Sequence, residues 1–80
     1  MEIFVSGFLE ETTEERLKKL FSTYGHVIEA RIIRYPSGDS KGYGFVKMRD
    51  VTRGKFAVRN LNGSSLDGKQ LIVQKYRWSS

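Results

Sequence analysis

Apolar residues alternate with polar ones in four short stretches of the chain and recur at helical spacing in two others. Period two predicts strands and a 3.6-residue period predicts helices. Ile3-Phe4-Val5-Ser6-Gly7-Phe8 reads as a first strand closing on a glycine turn, with Ile3 and Val5 inward and Phe4 outward. Residues 10–13 are a polar connection, and Thr12 with Glu15 fits a capping box at the start of a helix. Leu17, Leu20, Phe21 and Tyr24 make that helix's apolar stripe, and Gly25 is expected to end it as the left-handed residue after the last turn. Residues 27–34 form a second strand, with Ala30 and Ile32 inward and Arg31 and Ile33 outward. A Tyr-Pro-Ser-Gly-Asp-Ser loop follows at residues 35–40.

Residues 41–48 form the third strand. Val46 and Met48 share one face; Lys41, Tyr43, Phe45 and Lys47 share the other. Asp50 is the expected N-cap of a second helix over residues 51–60, with Val51, Ala57, Val58 and Leu61 buried and Phe56 at the margin. Gly54 inside it costs up to ~1 kcal/mol relative to Ala, so either a close contact requires it or the helix is weaker there. After a loop over residues 62–68, residues 69–76 form the fourth strand, with Leu71 and Val73 inward and Gln70, Ile72, Gln74 and Tyr76 on the other side. A tryptophan in the trailing terminus, Trp78, needs a surface: the domain's own sheet, a neighbouring segment or a ligand.

Strand, helix, strand, strand, helix, strand is the split β-α-β order. The expected fold is α+β: a ferredoxin-like βαββαβ sandwich, one domain over residues 1–80, with a four-stranded antiparallel sheet packed on two helices. In that topology the first and third strands are central neighbours, so Phe4, Tyr43 and Phe45 meet on the open face. Arg31, Lys47, Gln74 and Tyr76 surround them. A core does not need such a face; an exposed aromatic patch marks a binding site, and flat rings among cations suit a single-stranded nucleic acid.

Charge agrees with that reading. The chain has 14 Lys and Arg against 9 Asp and Glu, net +5, which favours a polyanionic partner. The lack of cysteine excludes disulfides, thiolate metal sites and a cysteine nucleophile, and fits an intracellular setting. His26 has neither a partner nor a pocket for acid–base work. Glu10, Glu11, Glu14 and Glu15 read as a loop and helix start, not as a metal site. No phosphate-binding loop occurs, because Gly42-Tyr43-Gly44 lies within a strand. An enzyme is therefore not expected, nor is a cofactor or metal. No apolar run is long enough to cross a bilayer, no signal peptide precedes the first strand, and neither helix is a basic amphipathic membrane binder.

Lys41-Gly42-Tyr43-Gly44-Phe45-Val46-Lys47-Met48 resembles the ribonucleoprotein octamer of the RNA recognition motif family, and Ile3 to Phe8 resembles its partner hexamer. Tyr24-Gly25 and Leu61-Asn62-Gly63 also resemble the family's helix ends, so the similarity spans essentially the whole chain. It implies binding of single-stranded RNA, in RNA processing or post-transcriptional regulation in the nucleus or cytoplasm. Phe4 and Phe45 would stack successive bases, with Tyr43 between them or against sugars. Lys41 would neutralise a phosphate, and Gln74 and Tyr76 would read base edges. Met48 departs from the aromatic usual at the octamer's end, but on the core side. Ser6, Gly7 and Gly54 also depart from the pattern, and none removes a stacking residue. Single-stranded DNA remains compatible, since rings stack either type of base. A monomer is expected, and the helical face and C-terminal tail are left for protein partners. The competing reading is a protein-interaction module of the same fold whose sheet is covered by its tail or a peptide.

Overall fold

The computed structural model describes residues 1–76. Its elements run β1 (Glu2–Ser6), α1 (Glu14–Ser22), β2 (Val27–Arg34), β3 (Ser40–Met48), α2 (Val51–Leu61), a two-residue pair β4 (Ser65–Leu66) and β5 (Lys69–Gln70), and β6 (Ile72–Lys75). The main sheet is antiparallel in the order β2-β3-β1-β6, with β1 and β3 at its centre. This is the expected βαββαβ sandwich.

The inner face of the sheet carries Ile3, Val5, Ile32, Val46, Met48 and Val73, all buried. Leu17 and Phe21 of α1 and Ala57 and Leu61 of α2 close the core, with Leu20, Tyr24, Ala30 and Val58 packed at its edge. A register shift between Val27 and Glu29 lets β2 bury both Val27 and Ile32 despite their odd spacing.

Several local expectations give way to tertiary structure. Thr13, not Thr12, caps α1: its side chain accepts a hydrogen bond from the Arg16 N–H at 3.2 Å. Thr12 instead donates its N–H to the Leu9 carbonyl at 3.0 Å and is drawn into the interior, so the cap falls one residue later. Gly25 is not a left-handed helix stop, because α1 ends at Ser22. A Cβ there would stand 2.9 Å from Arg53 side-chain atoms, so close approach of α2 is what requires a glycine. Gly54 has a similar cause, since a Cβ would meet the Met1 sulfur at 2.6 Å. Asp50 occupies the N-cap of α2 without a side-chain cap bond, and Val51 is 46% exposed, outside the buried stripe.

The fourth sheet strand is shorter than residues 69–76. Lys69 and Gln70 pair with Ser65 and Leu66 across Asp67-Gly68. Both turn residues have positive φ (51 and 83), as a tight two-residue hairpin of that twist demands. Leu71 then leads into β6. The Asn62 side-chain oxygen accepts the Val73 N–H at 3.0 Å and ties the end of α2 to that strand.

Candidate nucleic-acid interface

β1 and β3 are in a register that sets Phe4 directly across from Phe45. On the other side of β1, Phe4 faces Gln74 of β6; beyond β3, Phe45 faces Arg31 of β2. One row across the sheet therefore reads Arg31, Phe45, Phe4, Gln74. Successive side chains alternate faces, so these four share the side opposite Val5 and Val46. Tyr43 lies in the neighbouring row, across from Ser6.

The rings form one connected surface. The Phe4 centroid is 5.8 Å from that of Tyr43 and 5.8 Å from that of Phe45. Phe45 meets Tyr76 edge to face at 4.9 Å. These separations are typical of favourable aromatic pairs. All four rings are half-buried, while Gln74 is exposed. Tyr76 lies just past β6 and is held by its N–H, which donates to the Glu2 carbonyl at 2.9 Å. Ile72, across from Ser6 and 48% exposed, adds apolar surface beside Tyr43.

Gly44 explains how the sheet can be so close-knit here. A Cβ at that position would collide with the Arg31 carbonyl of β2, so the alternation of glycine and aromatic residues in β3 has a steric cause. Gly42 has another. Its φ is +79, a conformation that side-chain-bearing residues rarely adopt. Its N–H is bound by the Ser40 hydroxyl at 3.0 Å, and its carbonyl accepts the Gly7 N–H at 3.1 Å. This kink lies between Lys41 and Tyr43, and the strict alternation stops there.

The cations are not equivalent. The Arg31 guanidinium carbon stands 5.2 Å from the centre of the Phe45 ring. The same group is paired to Glu2 at 3.2 Å and to Glu29 at 3.7 Å. Lys47 lies across from Glu2 in register and is exposed. Lys41 is exposed too, with its ammonium 5.1 Å over the Tyr35 ring in the β2–β3 hairpin. The aromatic row thus has Arg31 at one edge, Lys47 in the adjoining row, and a Lys41–Tyr35 pair toward the hairpin. That hairpin is braced on α1: Arg34 donates to Glu14 at 3.0 Å and to the Gly38 carbonyl at 3.1 Å. The Arg34 hydrogen bond holds the Glu14 carboxyl below its ordinary pKa, against an opposing effect of burial.

The nine candidate residues thus separate into groups. Phe4, Tyr43, Phe45, Tyr76 and Arg31 are joined in one chain of contacts through Phe4 and Phe45, Gln74 and Lys47 flank them, and Lys41 belongs to the Tyr35 pair. Trp78 lies outside the described residues. The carboxylates beside Arg31 were not foreseen as part of this surface, although Glu2 shares the parity of Phe4 and Glu29 that of Arg31. Among the described residues, no group of three or more His, Cys, Asp or Glu could hold a metal ion, and no helix is long and apolar enough to cross a membrane.

The sequence matches the model of the RNA recognition motif family over residues 3–72. The chain belongs to the RNA recognition motif family. Such domains bind RNA and are not catalysts. Polyadenylate-binding protein 6 of Arabidopsis thaliana is 36% identical over 72 residues, which cover 90% of this chain and 13% of that protein. The chain therefore corresponds to a small part of that relative's length. Among solved structures, RNA binding protein PG1 superposes with a TM-score of 0.91 at 35% identity, covering 95% of this chain and 93% of the other. The Rna15 RNA recognition motif with bound RNA (GU) superposes with a TM-score of 0.85 at 34% identity, covering 94% and 81%.

Proposed function

We propose that this RNA recognition motif binds single-stranded RNA on its open sheet face, with bases stacked on Phe4, Tyr43 and Phe45. The observation that carries the reading is the connected, half-exposed aromatic surface of the two central strands, with centroids 5.8 Å apart. The relative seen with bound RNA supports the same ligand class. Phe45 and Phe4, on neighbouring strands, each receive one of two successive bases, and Tyr43 packs beside Phe4 against a base or sugar. Lys47 and Lys41 meet phosphates. Arg31 shifts part of its ion pairing from Glu2 and Glu29 to the nucleic-acid backbone as the strand arrives. Gln74, exposed across from Phe4, supplies amide donors and an acceptor for base edges, and Tyr76 buttresses Phe45. The proposed biological setting is RNA processing or post-transcriptional regulation.

Selection from a random RNA pool tests this reading. The wild-type chain is expected to enrich a short single-stranded motif, and the Tyr43→Ala/Phe45→Ala double variant to lose that enrichment while staying folded. Equal enrichment by the folded double variant would remove the stacking surface from the mechanism. A DNA pool run in parallel reports whether 2′-hydroxyl contacts contribute.

A further inference from the structure

A second aromatic pair, one ring exposed and one half-buried, lies on the helical side of the domain. Phe56 of α2 is 54% exposed, and its ring meets Tyr24, just beyond α1, edge to face at 5.8 Å. The pair lines a hollow of about 710 Å³ whose other walls include Arg53, Lys55, Arg59 and Asp50. Gly54, Ala57 and Leu61 turn the opposite side of α2 into the core, so this hollow faces away from the sheet. Lys55, Phe56 and Arg59 fall at helical spacing on one exposed stripe.

The charges of the hollow are lopsided. Arg53, Lys55 and Arg59 have no ion-pair partner among the described residues, whereas the other described arginines, Arg16, Arg31, Arg34 and Arg49, each have at least one. The one carboxylate in the wall, Asp50, is already 3.7 Å from Arg49. Three uncompensated cations around an apolar floor are complementary to carboxylates placed around an apolar side chain.

We propose that the Tyr24–Phe56 hollow docks an acidic peptide segment of a partner protein, with one aromatic or large aliphatic side chain seated against the two rings and carboxylates against Arg53, Lys55 and Arg59. One feature favours a peptide over a second nucleic-acid strand: a concavity between two elements suits an anchoring side chain.

The test uses the 80-residue chain and a fluorescein-labelled peptide of glutamates around a single phenylalanine, with binding followed by anisotropy and by amide chemical shifts. The glutamate peptide is expected to bind and to shift resonances around Tyr24 and Phe56 while leaving Phe4 and Phe45 undisturbed. A version with glutamine for glutamate, or alanine for the phenylalanine, should bind much more weakly. Phe56→Ala should lower affinity about tenfold, as expected for an aromatic anchor, and Lys55→Glu should also weaken binding, with circular dichroism unchanged in both. Lack of peptide binding at millimolar concentration overturns the proposal. So do shifts around Phe56 produced by an RNA oligonucleotide alone, or by raising the concentration of the chain alone; these would assign the hollow to nucleic acid or to a second copy.

Discussion

The two faces of β3 share a backbone and differ in almost everything else. On the inner face Val46 and Met48 are fully buried between sheet and helices. On the outer face Tyr43 and Phe45 touch mainly other rings and remain half-exposed. Both faces are apolar, so hydrophobicity alone does not distinguish core from site. The difference lies in what completes the contacts. Inner side chains are satisfied by this chain, whereas outer rings keep free surface among Arg31, Lys47 and Gln74. Truncation on the two faces should therefore be read by different assays.

The largest expected effect is on the inner face. Met48→Ala removes a fully buried side chain and should destabilise the fold by about 2–5 kcal/mol in urea unfolding. RNA affinity per folded molecule should hardly change; a large loss of affinity without loss of stability would erase the distinction between the faces. Next comes Phe4→Ala, expected to weaken RNA binding by about 1–3 kcal/mol in a titration. Its cost in stability should be smaller, since the ring is half-exposed and its neighbours are other surface rings.

The cations sharpen the comparison further. If Arg31, Lys41 and Lys47 each neutralise a phosphate, log affinity should fall against log salt with a slope of about −2, from roughly 0.7 per contact. Lys47→Gln should flatten that slope by about 0.7. An unchanged slope would remove Lys47 from the phosphate contacts. The smallest effect concerns the hairpin brace. The folded-state pKa of Glu14 is depressed, chiefly by the Arg34 hydrogen bond. Its contribution to stability is thus present above the ordinary carboxylate range and lost as pH falls through that range to the folded value. Arg34→Gln should make acid unfolding shallower there. Both side chains are more than a third exposed, so solvent screening keeps the difference below about 1 kcal/mol.

Much of the architecture was legible in periodicity. Strand alternation located Phe4, Tyr43, Phe45, Val46 and Val73 on their proper faces, and helical spacing found Leu17 and Phe21. What periodicity could not supply was contact between distant segments. Gly25 looked like a helix stop, yet its reason is the Arg53 side chain of α2, 28 residues away. Thr12 looked like a cap because the residue three positions on fits, but burial moved the cap to Thr13. Residues 69–70 look like strand and are strand, yet the positive-φ turn at Asp67-Gly68 pairs them with Ser65 and Leu66 instead of the main sheet. An Asp-Gly dipeptide is a hairpin signal and could have shown this. In the site, parity grouped Lys41 with Tyr43, but the left-handed Gly42 lies between them and Lys41 stacks on Tyr35. The attachment of Arg31 to Glu2 depends on strand register, which the sequence does not spell out, whereas Glu29, two residues earlier in β2, already shares its parity.

The most direct measurement is on Phe45, which contacts Phe4, Tyr76 and Arg31 at once. Phe45→Ala should be followed by RNA titration and thermal unfolding on the same preparation. The expected result is a loss of RNA affinity of about 1–3 kcal/mol with a folded chain and only a small shift in Tm. Unfolding of the variant with unchanged affinity per folded molecule would contradict it, and would make the ring part of the core instead of the platform on which RNA stacks.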